Sequence, residues 1–261
     1  MKKTISTLLM SAALCVASTA QADISLQLDF GNAGVFDGLN NETLTPAGIS
    51  DSTWNGVPNT DITSGLLFGD ASAATGVSVE LGAAPGGGII DFTTANARNN
   101  AGNTESQGAI YDTTLTDDWV FDSGGRDIGA RITGLAPGDY LVYAIAKEPN
   151  QLARTYDVGI GAFTNANADN ISSSSTELDI TSIGDATGTT TFVDGLNFAL
   201  TRVTIADSTD FIAVLVDPTN GNGEQRFATL SSIQIVAVPE PSSVALLALG
   251  SIGMLVRRKR S

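Results

Sequence analysis

The side chains best suited to chemistry in this sequence are a tryptophan set among polar groups and a surplus of carboxylates. Trp54 stands in Asp51-Ser52-Thr53-Trp54-Asn55-Gly56, a run of turn formers that reads as a loop. An exposed indole stacks on the C–H face of a sugar ring while amides and carboxylates bond its hydroxyls. Trp54 and Asn55, joined by Tyr111, are therefore the candidate ligand-binding residues. The competing role for Trp54 is to plug one end of a core. Trp119, in Asp117-Asp118-Trp119-Val120-Phe121-Asp122, has apolar neighbours and reads as core. Asp117, Asp118, Asp122 and Asp127 gather near Arg126. Paired carboxylates at a set separation are what glycoside hydrolysis needs, but a solvated acidic loop is the plainer reading, and no catalytic residue is assigned. Asp217-Pro218-Thr219-Asn220-Gly221-Asn222-Gly223-Glu224 and residues 117–122 offer oxygen ligands for one structural Ca²⁺. Neither has EF-hand spacing, so the metal ligands stay unknown, and no other cofactor is expected.

Composition removes whole classes of chemistry. The 261 residues include no histidine. The single cysteine, Cys15, lies in a segment expected to be removed. Imidazole and thiolate metal sites, Ser-His-Asp and Cys-His catalysis, disulfide scaffolds and redox dithiols are all excluded from what remains. No Walker motif, nucleophile elbow or zinc-binding helix is present. Between residues 23 and 238 there are seven basic residues against 27 acidic ones, a net charge of −20. Such a field repels a phosphate backbone, so nucleic acid is not an expected partner. With 28 glycines, 16% charged residues and a mean hydropathy of +0.13, the chain is too apolar for disorder.

The elements that must position these groups read as strands. Ile24-Ser25-Leu26-Gln27-Leu28-Asp29-Phe30 alternates apolar and polar at period two. Residues 66–68, 76–81 and 130–146 follow, the last with a Pro137-Gly138 turn ahead of Tyr140. Tyr156, Val158 and Ile160 alternate in the next strand. Asp194-Gly195, between residues 191–193 and 196–200, is a two-residue hairpin signal. Residues 211–216 are continuously apolar, as in a central strand, and 230–236 close the body. Residues 93–108 read as a long surface loop. No helical stripe appears between the ends. Many short strands with glycine-rich turns predict an all-β fold, an antiparallel jelly-roll β-sandwich over residues 23–236.

The two ends read as addresses. Residues 1–22 have a Lys2-Lys3 start, an apolar stretch and Ala20-Gln21-Ala22, a small-x-small site for signal peptidase. Cleavage after Ala22 is expected. Residues 237–261 contain Pro239-Glu240-Pro241, an apolar stretch over 244–256 and the cluster Arg257-Arg258-Lys259-Arg260. The basic cluster stays cytoplasmic, which places the body outside. Thirteen residues cover about 20 Å as a helix, short of a bilayer core of about 30 Å, which suits a transient anchor. The prolines keep the segment before it extended and poor in donors, open to a processing enzyme.

This order of features resembles the PEP-CTERM protein-sorting signal. The resemblance implies recognition by an exosortase, removal of the helix, and a final place at the cell surface or in an exopolysaccharide matrix. A second resemblance spans most of the body. Leu28-Asp29-Phe30-Gly31, Thr53-Trp54-Asn55, Gly76-Val77-Ser78-Val79, Gly134-Leu135-Ala136-Pro137-Gly138-Asp139-Tyr140, Arg154-Thr155-Tyr156-Asp157-Val158-Gly159 and Leu230-Ser231-Ser232-Ile233-Gln234-Ile235 occur in that order. They are similar to secreted bacterial jelly-roll modules related to galactose-binding-like folds. Together the two resemblances imply an exported, non-catalytic surface or matrix protein that binds exopolysaccharide. A hydrolase with paired carboxylates and a purely structural matrix component are the alternatives.

Overall fold

The computed structural model describes residues 25–31, 34–37, 53–84, 88–93, 98–99, 119–122, 127–146, 152–164, 169–219 and 228–239. The helices expected over 1–22 and 244–256 lie outside them. Ile24–Val238 is one compact unit. Its described residues form strands and turns, with no helix.

One sheet has the order β13 (Ala199–Ile205), β9 (Gly138–Ile145), β16 (Ser232–Ala237), β1 (Ser25–Phe30), β3 (Thr53–Val57), β2 (Gly34–Asp37). The second has the order β11 (Asn170–Ser172), β5 (Ile89–Asp91), β4 (Ser78–Ala83), β8 (Ile128–Thr133), β14 (Phe211–Pro218), β10 (Tyr156–Phe163), β12 (Asp179–Ile183). A third, small sheet joins β15 (Ala228–Leu230), β7 (Val120–Asp122) and β6 (Arg98–Asn99). The first two sheets face each other across one core. Leu26, Leu28, Ile233 and Ile235 of the first meet Val79, Leu81, Ile132 and Val214 of the second in a single apolar cluster. From β8 onward the chain passes repeatedly between the two sheets, which is the sandwich connectivity of a jelly roll.

Local patterns explain the layers. In β1, Leu26, Leu28 and Phe30 face the core while Ser25, Gln27 and Asp29 face away. β14 is apolar from Phe211 to Val216 because both its faces are covered there. Ile212, Val214 and Val216 enter the main core, whereas Phe211, Ala213 and Leu215 belong to a second cluster with Ile90, Phe92, Phe163, Ile171 and Leu178. That cluster lies on the outer face of the second sheet, beneath the segment that runs from β11 towards β12.

Three details of the connections and pairing add to the sequence reading. Pro137-Gly138 turns the chain into β9 without pairing β8 to β9. β8 and β9 belong to different sheets, so the turn is a crossover, tied by the Tyr140 hydroxyl donating to the Ala136 carbonyl at 2.7 Å. Residues 191–200 form no hairpin either. The buried Asn197 amide accepts from the Val193 N–H and donates to the Thr191 carbonyl, both at 2.8 Å, and supplies the bonds a partner strand would have made. Finally, the sheets are not purely antiparallel, since β1 and β3 pair in parallel.

The β9–β13 ladder carries a pH-sensitive pair. Asp139 accepts from the Thr204 hydroxyl and from Arg202 Nη2, both at 2.5 Å, and these bonds hold its carboxyl below the ordinary 3.8. A carboxylate depressed by folding adds stability above its unfolded pKa, and that contribution is lost as pH falls through the lower folded value. Asp139→Asn is therefore expected to lower the thermal midpoint near neutral pH. The two proteins should converge on acidification below about pH 4. Parallel midpoints across a pH 2–7 series of melts would show that the pair contributes nothing.

Candidate functional site

Of the sequence-predicted ligand residues, Trp54 and Asn55 present no binding surface. Trp54 lies in β3 and not in a loop, and it has no exposed surface. Its ring offers no face for a sugar, so the stacking role is corrected. Asn55 is equally buried, and its amide is spent on the backbone. It donates to the Gln27 and Leu67 carbonyls at 2.9 and 2.8 Å and accepts from the Leu67 N–H at 2.8 Å. Asn55-Gly56 looked like a turn, but the amide instead fastens the 66–73 segment to the β1–β3 pair. Trp119 is buried, as its neighbours implied. Tyr111, Ala22, Glu240, Pro241 and Arg257, Arg258, Lys259 and Arg260 lie outside the described residues, as do Asp117, Asp118 and residues 220–224.

The concave features that the described residues do form lie on the outer face of the second sheet. Register places Glu80 and Gly82 of β4, Gly129 and Arg131 of β8, Leu215 and Asp217 of β14, and Asp157, Gly159 and Gly161 of β10 on that face. The glycines let the 173–178 segment lie directly on the strands. A Cβ at Gly161 would come within 2.3 Å of the Glu177 carbonyl oxygen, and one at Gly159 within 3.2 Å of Leu178 Cδ1. The segment thus forms a strap with a hollow on either side.

The first hollow, about 180 Å³, is lined by Asp127, Asp157 and Asp217 with Ser173, and by Leu178, Ile180 and Leu215 as an apolar wall. Asp157 and Asp217 are directly opposed across β10 and β14. Like charges at that position repel, which hydrogen bonds offset in part. The Ser182 hydroxyl donates to Asp157 at 2.6 Å. Asp127, nearly buried, accepts from the Gly88 N–H at 3.2 Å. Ile180 is 47% exposed, a large apolar side chain left at the rim. Among the described residues no Lys or Arg lines this hollow. Among the described residues no group of three His, Cys, Asp or Glu side chains is placed to hold a metal ion. The second hollow, about 290 Å³, is lined by Ile89, Phe163, Asn170, Ser172, Ser175 and Glu177.

Sequence reasoning missed this face. Asp157 sat inside a recognised strand and Asp217 was weighed only as a loop ligand. Only the β10–β14 register brings them together.

The other functional feature is the C-terminal segment, which leaves the body at Val238. Residues 237–260 match the PEP-CTERM protein-sorting motif. The sorting motif marks the chain as an exported protein handled at the membrane by an exosortase. No curated protein matches the chain. Among solved structures it is similar to the ANX2 ectodomain of Arabidopsis thaliana, at 10% identity and a TM-score of 0.41, over 84% of this chain and 50% of that one. The chain spans about half the length of such ectodomains. It is also similar to a family 35 carbohydrate binding module from Clostridium thermocellum (11% identity, TM-score 0.32, 55% of this chain and 89% of that one). A third likeness is to the K1 cleaved adhesin domain of Lys-gingipain from Porphyromonas gingivalis W83 (13% identity, TM-score 0.32, 62% and 91%). At these values the likeness carries neither ligand nor activity to this chain.

Proposed function

We propose that the chain is a non-catalytic surface or matrix protein, delivered by exosortase sorting, whose body holds extracellular polysaccharide on the outer face of the second sheet. The observation that supports this reading is the hollow of Asp157 and Asp217. Carboxylate oxygens accept hydrogen bonds from neighbouring sugar hydroxyls, and the Leu178 and Ile180 side chains pack against ring C–H groups. With three carboxylates, Asp127, Asp157 and Asp217, in the lining, neutral or amino-bearing sugars fit better than uronates. Hydrogen bonds to charged groups are worth about 1.5–3 kcal/mol each. Asp157→Asn with Asp217→Asn is accordingly expected to weaken glycan binding by at least about tenfold. A glycan-array screen of the exported protein beside this variant is the test. If folded wild-type protein binds nothing, the binding reading fails and a structural matrix role takes its place.

One observation favours the competing hydrolase reading. Asp157 and Asp217 are direct register partners, so their Cα atoms start about 4.5–5.5 Å apart, and a retaining pair needs carboxyl groups about 5–5.5 Å apart. Release of reducing sugar by the wild type, lost in the double variant, would decide for hydrolysis.

A further inference from the structure

The body runs into the sorting motif without a spacer. Near the end of β16, Val236 lies opposite both Ser25 and Leu141, and Ala237 opposite Tyr140. The Val238 N–H then donates to the Asp139 carbonyl at 2.8 Å. The next residue is Pro239, the first of the motif's Pro-Glu-Pro. β16 lies between β1 and β9, so it is an interior strand and cannot peel away as freely as an edge strand. Val238 precedes a proline, which disfavours a helical turn there and keeps the backbone extended in line with the strand. Only residues 239–243 stand between this last hydrogen bond and the apolar stretch, and five extended residues reach about 17 Å.

We propose that the folded body gates its own processing. The protease gains full access to the motif only when Ala237 and Val238 peel away from β9. The proposal rests on the reading of the motif as an exosortase substrate. A protein that takes up an extended peptide does so largely through the peptide's main-chain N–H and C=O groups. On the amino side of Pro239 these groups are engaged with β9, and the short reach to the apolar stretch leaves no slack to present them elsewhere. Where opening and closing are fast relative to cutting, the cutting rate follows the population of the opened state. The anchored form therefore persists for as long as the end of β16 stays zipped, and release is tied to the local stability of the first sheet.

The test is a pulse-chase of the full-length chain in its host, following conversion of precursor to cut product. Inserting a short Gly-Ser linker between Val238 and Pro239 supplies the missing slack and leaves β16 intact. Conversion is expected to accelerate roughly tenfold, the scale of freeing two backbone hydrogen bonds. Val238→Pro, which removes the donor to Asp139 without changing length, should accelerate it several-fold. The same linker placed in the exposed Thr187-Gly188 turn should leave the rate unchanged. A linker variant cut at the wild-type rate or more slowly overturns the gate. A wild-type chain that is never cut overturns the exosortase reading itself, and the gate with it.

Discussion

Chains in which Pro239, Glu240 and Pro241 are all replaced by alanine are expected to accumulate almost entirely as uncut, membrane-held precursor. Each proline fixes φ and removes an N–H, and each pushes the residue before it away from helix, so the wild-type segment resists joining the helix expected from the sequence over 244–256. Three alanines reverse that preference, because alanine is the strongest helix former. They allow the helix expected over 244–256 to extend backward toward Val238, which would tie the cleavable backbone into intrahelical hydrogen bonds. The change also deletes the carboxylate of Glu240. Glu240→Gln alone keeps the backbone constraint and separates charge recognition from shape. The measurement is the precursor-to-product ratio in fractionated cells, read beside the body's resistance to added protease. Normal cutting of the triple-alanine chain would mean that the three residues are not what the enzyme reads.

What could be read from the sequence follows from which signals are local. The alternation of β1 was legible because each of its residues serves one face, and the apolar run of 211–216 because both faces of β14 are covered. Pro137-Gly138 and Asp194-Gly195 announced changes of chain direction but not the partners on either side. Pro137-Gly138 marks a change of sheet, a choice set by long-range pairing that no dipeptide encodes. Asn55-Gly56 and Asp194-Gly195 misled for a related reason. The Asn55 and Asn197 amides satisfy backbone groups in place of strand partners, so turn chemistry was put to use in other settings.

The candidate site was less legible still. Asp157 and Asp217 stand sixty residues apart and meet only through register. The strap that walls the hollow lies close to the sheet because Gly159 and Gly161 leave room for it. Glycines spaced by two in a strand resemble weakness until the segment above them is known. The C-terminal motif was the opposite case. All its information is contiguous, so it could be read without the fold.

Arg131→Ala is expected to cost about 2–4 kcal/mol and to loosen the candidate site with it. Arg131 stands on the outer face of β8, opposite Glu80, and pairs with its carboxylate through Nε and Nη2. Its Nη1 lies 3.6 Å from Asp169. The guanidinium also sits over two rings, 5.2 Å from Phe92 and 5.5 Å from Phe211, and Phe211 stacks on Phe163 at 5.6 Å. One side chain thus joins β4, the turn after β5 and the residue before β11, the strand that leads into the strap, to the sheet. Only 11% of it is exposed, so the charge interactions are poorly screened, and truncation leaves Glu80 half-buried without its cation. For a body of this size the loss corresponds to a fall of roughly 5–15 °C in thermal midpoint. Arg131→Lys keeps the charge but gives up the forked pairing and the stacking, and should fall between. Arg131→Met combined with Glu80→Gln should recover part of the loss, because no carboxylate is then stranded. If the site depends on the strap, Arg131→Ala must weaken glycan binding well below its own midpoint, although Arg131 does not line the hollow of Asp157 and Asp217. A shift under about 2 °C would show the guanidinium to be a passenger on that face, and the strap to be held by its apolar contacts alone.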